Sequence, residues 1–438
     1  MIAKVTIPLY DQFVADFETQ SVLSSSEPDW LHMLRQRSFE QFRRLGFPVS
    51  KTEDWKYTHL TPFLKRDFGT TPDAETENIN EDFLSQKNIK SLDGYRIVTI
   101  NGKYNNEFSD VIPEEGVCVC SLIQAKNKKA FKEHFGNYAD TEKNHFVALN
   151  TALFQDGLFI EVREGVVLSK PLQIIHAVSS KQHLFLQPRC LYLLGDNSQA
   201  SIIETYVSSL QEGEIFVNDV SEIVVGKNAH LQHYYVQSGT ENTRYIHFTQ
   251  VNQSGSSVYN NYKASFPGSI FLRNNLNTAL DGENIETHLY GLYLAGGHQL
   301  VDNHTVVDHL KPNCQSNELY KGVMKDEATG VFNGKIFVRK NAQKTNAFQK
   351  NNNLMLGKKS IVDSKPQLEI FADDVKCSHG STVGQFNEEA LFYLKSRGIG
   401  EEKAKALLIH AFVYDIVEKM PLISVKNYIN KLIEEGLK

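Results

Sequence analysis

The segment Ala372-Asp-Asp-Val-Lys-Cys-Ser-His-Gly380 gathers the residue types best suited to metal chemistry in this 438-residue chain. If it runs extended, Asp373, Cys377 and His379 point to one face, because side chains alternate along a strand. Alternate positions lie about 6.6–6.8 Å apart, close enough for two side chains to meet one ion. A thiolate with an imidazole suits iron–sulfur, zinc or copper. Cys-x-His alone falls short of a closed tetrahedral site, which takes four ligands. The plain alternative is a buried cysteine beside a hydrogen-bonded histidine. A half-complete ligand set gains meaning where a partner supplies the rest.

A second group comprises His298, Asp302, His304, Asp308, His309 and Cys314. It could form a mononuclear metal site. His298, Asp302, His304 and Asp308 fall on one strand face by parity, and His309 on the other. A stack of polar residues satisfying backbone groups is the expected reading. Phosphate-binding loops are missing: Gly357-Lys358-Lys359-Ser360 lacks the first glycine, and the spacing from Gly330 to Gly334-Lys335 is wrong. No G-x-S-x-G elbow, H-E-x-x-H helix or dinucleotide fingerprint occurs. Nucleotide binding and hydrolysis are therefore not expected of this chain.

The elements that must position these residues fall into three regions: 1–147, helical and mixed; 148–380, a β region; and 381–438, helical. Residues 27–45 read as a helix, with Ser26 as cap, Pro28 in the first turn and Gly46 with Pro48 at its end. Residues 73–91 read as a polar surface connection, and 121–135 as a helix with a solvated basic middle. From Leu158 to Val375, short Val/Ile/Tyr/Phe runs alternate with turn residues. Gly165, Gly195, Gly226, Gly255 and Gly282 recur at steps of 30, 31, 29 and 27 residues. A steady period in strand-type sequence predicts a stacked solenoid, in which no coil buries its apolar face alone. A β-sandwich is the competing architecture. Pro171, Pro188, Pro267 and Pro312 fit corners. Asn351-Asn352-Asn353 could form amide ladders inside a coil, or a plain turn. Asn387 and Ser424 can cap helices in the tail, Gly398 stops the first, and Pro421 ends a second running Glu401–Met420.

Composition narrows the class. A net charge of −6 argues against a dedicated nucleic-acid binder. Five cysteines (Cys118, Cys120, Cys190, Cys314, Cys377) make no disulfide framework. No apolar run approaches the roughly 20 residues that span a bilayer. The first residues lack a signal-peptide pattern, and a cytoplasmic protein without membrane contact is expected.

Several phrases in order resemble the SufB/SufD family. They are Tyr320-Lys-Gly-Val, Gly330-Val-Phe-Asn-Gly-Lys-Ile, Ala342-Gln-Lys-Thr-Asn-Ala-Phe-Gln, Leu368-Glu-Ile-Phe-Ala-Asp-Asp-Val-Lys-Cys-Ser-His-Gly and Ala390-Leu-Phe-Tyr-Leu-Lys-Ser-Arg-Gly-Ile. Upstream, Thr52-Glu-Asp-Trp-Lys-Tyr-Thr and Ala148-Leu-Asn-Thr-Ala-Leu-Phe resemble it too. Lys376-Cys-Ser-His-Gly-Ser-Thr-Val-Gly is similar to the SufD branch rather than the SufB branch. The resemblance implies a right-handed parallel β-helix between helical ends. It implies a scaffold subunit of the SufBCD complex, paired with a SufB-like paralogue and a SufC-like ABC-type ATPase, and a possible homodimer in isolation. It also implies that His379 helps build a transient Fe–S cluster at the subunit interface; Cys377 matches the same motif. The tail carries more apolar face than so short a segment can bury, and Leu391, Phe392, Tyr393, Arg397 and Gly398 are the residues expected to meet the ATPase. ATP hydrolysis is expected in the partner, not here. The alternatives are a β-helix polysaccharide enzyme and a cytosolic metal-dependent β-helix enzyme using His298, His304 and His309.

Overall fold

The computed structural model describes residues 7–23, 27–49, 51–70, 78–209, 213–238 and 242–437. Its centre is a parallel β-helix of about eight coils built from two ten-stranded sheets. From Gln199 onward, successive strands alternate between the sheets, so each coil gives one strand to each. One sheet carries Gln199, His230, Val258, Glu286, Gln315, Asn346 and Lys376 in a single row. The other carries Phe216, Arg244, Phe271, Leu300, Thr329 and Ile361. All these pairings are parallel, which excludes the antiparallel sandwich.

Three of the five recurring glycines, Gly195, Gly226 and Gly282, have a steric cause. A Cβ on Gly226 would stand 2.7 Å from the carbonyl carbon of Gly195, and one on Gly282 would stand 2.2 Å from the nitrogen of Gly255. Turns of adjacent coils thus touch backbone to backbone. Of the four corner prolines, Pro171, Pro188 and Pro312 stand outside strands and Pro267 makes one isolated bridge. Pro366 does lie within a strand, Ile361–Ile370, but that strand ends its sheet, where a missing N–H costs no ladder bond.

The flanking regions lie against the outer faces. Helices Pro8–Leu23, Asp29–Leu45 and His145–Leu153 place Phe13, Phe42 and Phe146 in one apolar cluster with Phe185, Phe216, Ile246 and Phe271 of the second sheet. The tail helices Glu401–Val417 and Ile423–Gly436 bury Ile409, Val413, Ile416, Val425 and Ile429 against Tyr234, Tyr262, Leu292 and Val323 of the first sheet. No helix among the described residues is long and apolar enough to cross a membrane.

Local expectations need four corrections. The 73–91 stretch contains a helix, Glu81–Lys87, capped by Asn80 and anchored by a wholly buried Leu84; residues 71–77 lie outside the described set. The 121–135 stretch is two short helices, Leu122–Ala125 and Lys129–His134, broken where three polar residues (Lys126, Asn127 and Lys128) intervene. The second tail helix ends at Val417, three residues early. Ser424 caps no helix; its hydroxyl donates to the carbonyl of Ser91, tying the tail to the N-terminal region. Asn387 caps its helix as expected, by accepting from the Ala390 N–H, and Gly398 closes that helix at φ +82°. The proposed Ser26 cap lies outside the described residues, and Asp29–Leu45 begins after Pro28.

Candidate functional site

The two ends of the solenoid differ. At the first, short antiparallel strands Lys103–Asn105 and Val117–Ser121 close the sheets. At the other, strands Ile361–Ile370 and Val375–Gln385 are both sheet edges, and no described element covers them. Edge strands present unpaired backbone donors and acceptors, and an uncapped solenoid end also presents the inward face of its last coil. Ile361, Ile370, Phe371 and Val383 are exposed apolar side chains at this end.

The Cys-x-His pair belongs to this last coil. It lies inside strand Val375–Gln385. Cys377 pairs in register with Ala347 and His379 with Gln349. Ala347 is buried in the interior, and Cys377 packs half-buried against the same cluster. By alternation, His379, Ser381 and Val383 share that inward face, and they are exposed because no further coil follows. Asp373 sits in a bend before the strand and does not share its run. Burial pushes the Cys377 thiol up, against a backbone hydrogen bond from Ala347 that favours the thiolate. The thiol is therefore protonated near neutral pH.

Beneath the pair lies a polar interior. Ser381 donates to Ser364 across the two sheets at 2.8 Å, and Ser364 donates to Asn351 at 2.8 Å. Asn353 donates to Asn351 at 2.7 Å, and Asn351 to the Tyr293 hydroxyl at 3.1 Å. Asn351 and Asn353 thus face the lumen and bond to each other within one strand, with no amide stacked on them from the neighbouring coils, while Asn352 faces outward to Thr382. Gln349 donates to Glu318 at 2.6 Å. Burial raises Glu318 to about 7, against hydrogen bonds from Thr305 and Gln349.

The second sequence group does not converge. His298 is a surface residue 3.7 Å from Glu327. Asp302 and His304 share the outer strand face and meet at 2.9 Å. Asp302 also accepts from Arg273 at 2.8 Å and from Thr58 at 2.6 Å. Burial opposes its charge, but His304 and Arg273 hold the carboxyl at about 2. Asp308 pairs with Arg339 at the surface, His309 bonds Ser316 in the interior, and the Cys314 thiol donates to the Gly282 carbonyl. Among the described residues, no three His, Cys, Asp or Glu side chains gather as a metal-binding group. The Thr52–Thr58 motif uses Asp302 as an anchor: Arg273 stacks on Trp55 at 3.8 Å and donates to the Asp54 carbonyl at 2.7 Å.

Sequence reasoning missed a third polar group, deep in the lumen. Glu204 accepts from His176 at 2.8 Å, His233 at 2.6 Å and Tyr206 at 3.1 Å. Burial works against its charge, but the two histidines hold it well below the usual carboxylate range. Burial also lowers Lys263 to about 7, against the pull of Glu204 and Asp219. The available signal was a histidine in step with apolar residues, as in Leu231-Gln-His233-Tyr-Tyr235, where alternate positions face the lumen.

At the tail, Leu391 is buried while Phe392 and Tyr393 are 73% and 57% exposed on the same helix, Glu388–Ser396. Arg397 lies 5.3 Å from the Tyr393 ring centre. Below them, a groove of about 660 Å³ separates this helix from the solenoid turns, lined by Phe386, Leu391, Lys359, Glu401 and Lys405.

The chain is thus a parallel β-helix protein with one uncapped end, helices along its flanks and a thiol–imidazole pair on its last coil. Comparison with known proteins makes this specific. Residues 176–412 match the model of the SUF system FeS cluster assembly SufBD core domain, and residues 8–174 that of the SufBD protein N-terminal region. The iron–sulfur cluster assembly protein SufD of Escherichia coli is 33% identical over 88% of this chain and 88% of its own length. A SufBD family protein of Synechocystis is 29% identical over 97% of this chain and 95% of its own, and SufD of Bacillus subtilis 27% over 94% and 95%. The chain belongs to the SufB/SufD family of iron–sulfur cluster assembly proteins.

Proposed function

We propose that this chain is a SufD-type scaffold subunit of a SufBCD-like complex, acting in the cytoplasm and without catalysis of its own. The observation that carries this reading is the uncapped end of the β-helix, with Cys377 and His379 facing inward from its last coil. A SufB-like paralogue, itself a β-helix, is suited to cover that end and to supply the missing ligands. The nascent cluster is cargo on this surface, held by His379 and joined by Cys377 once its thiol is deprotonated. Neutral imidazole is a good ligand for iron and carries no charge to repel a cation. The exposed helix bearing Phe392, Tyr393 and Arg397, with Leu391 beneath it and Gly398 at its end, is suited to dock a SufC-like ATPase, where ATP hydrolysis belongs.

His379→Ala tests the cluster assignment. His379 is exposed and at the end of the stack, so the fold and the complex should survive. The mutant complex should fail to accumulate cluster on reconstitution, read by visible absorption and iron content. A normal yield removes His379 from the cluster.

A further inference from the structure

Glu318, Gln349 and His379 occupy one register row in three successive coils of the first sheet. Gln349 is 1% exposed, and its Nε2 donates to Glu318 Oε2 at 2.6 Å. The facing strand leaves room for it: a Cβ on Gly334 would stand 2.3 Å from that nitrogen. The two polar atoms of a carboxamide point apart, so an Nε2 turned to Glu318 turns Oε1 away from it. That oxygen is buried and has no partner in the structure. The next coil is the one that carries His379, about 4.8 Å away along the hydrogen-bonding direction. In the adjacent row, by contrast, Asn351, Ser364 and Ser381 are joined to one another.

We propose that Gln349, braced by Glu318, is a positioning residue for His379: its free Oε1 accepts one imidazole N–H, fixes the tautomer, and leaves the other nitrogen free for the cluster. Ligating histidines commonly give their second nitrogen to such an acceptor, which sets ring orientation and raises ligand basicity. This role rests on His379 being a cluster ligand, as proposed above. It differs from a packing role because it reaches the ring's protonation pattern.

The test uses the full-length chain labelled with [15N]histidine, studied by long-range 1H–15N correlation at pH 8, with His379→Ala assigning the resonances. Wild type should show one dominant His379 tautomer. Gln349→Met should give a mixture, and in the reconstituted complex should weaken iron loading about tenfold. Should Gln349→Met fail to fold, Gln349→Asn withdraws the same acceptor by one methylene and should give the same mixture. An unchanged tautomer and unchanged loading in the Gln349 variants, with cluster lost in His379→Ala, overturns the role of Gln349 alone. A normal cluster yield in His379→Ala overturns the ligand reading and, with it, any part for Gln349 in loading.

Discussion

Two positions apart on one strand, Cys377 and His379 meet different surroundings, and the difference comes from where the stack stops. Cys377 reaches the apolar end of the interior, where a thiolate is disfavoured. His379 stands over a polar row whose deeper member, Glu318, is wholly enclosed. The Cys-x-His spacing was legible in the sequence, as was the shared face. The carboxylate beneath was not, because Glu318 lies 61 residues away and becomes a neighbour only through coil register. Glu318 also makes a prediction of its own. Its folded carboxyl sits at about 7, raised by burial from an ordinary value of 4.5. The folded chain therefore holds a proton that the unfolded chain loses between those two values. Stability falls as pH rises through that window, by about 3 kcal/mol in total. Glu318→Gln removes this dependence. Urea unfolding at pH 5 and pH 8 should show the variant gaining on wild type at the higher pH. Parallel pH profiles for the two proteins would mean that Glu318 is already ionised in the fold.

At the scale of elements, the glycine period predicted the solenoid because turn backbones in contact cannot take a side chain. The Asn-rich run found its place for a related reason: a strand that alternates in and out sends two of three amides into the lumen. Short helices read less well. Glu81–Lys87 hides in an acidic, polar stretch, and its single wholly buried residue, Leu84, is too little pattern to show a period. The tail helices were legible as amphipathic, and too small to stand alone, so that the β region was one of the two surfaces expected to receive them. Most of their apolar face is spent on the first sheet, so deleting 387–438 would uncover Tyr234, Tyr262, Leu292 and Val323 and destabilise the solenoid itself. Leu407, Tyr414 and Ile423 remain outward on the two longer tail helices, and Phe392 and Tyr393 on the helix Glu388–Ser396. Phe392→Ser with Tyr393→Ser removes that surface without touching the packed one. The doubly substituted chain should keep its thermal stability, since exposed substitutions cost little. It should lose co-purification of the P-loop ATPase. Retained ATPase binding at unchanged affinity would move the docking site off this helix.

For the whole molecule, the two ends of the solenoid are unlike, and the association proposed above rests on that asymmetry. A β-helix gains stability by stacking, so its last coil lacks the neighbour that every interior coil has. Here that coil is long, its strands running Ile361–Ile370 and Val375–Gln385, and it carries exposed Ile361, Ile370, Phe371 and Val383. Natural proteins blunt such edges with charge, proline or a covering element. Pro366 and Lys365 supply a little of this on one strand, while the other leaves Val383, on the inward face, without a covering coil. An end left this open is suited to a second solenoid end, either of a SufB-like paralogue or, in its absence, of another copy. Both unions use the same surface, so one pair of substitutions should affect both. Ile370→Lys with Val383→Lys places charge on each sheet at the rim, at side chains that are 41% and 50% exposed. Light scattering is then expected to report dimers for the isolated wild-type chain and monomers for the variant, and the paralogue should no longer co-purify. The ATPase should still bind, because its helix lies on the flank. If the doubly charged chain still captures the paralogue with wild-type affinity, the open end is not the interface, and His379 would lose its route to shared ligands.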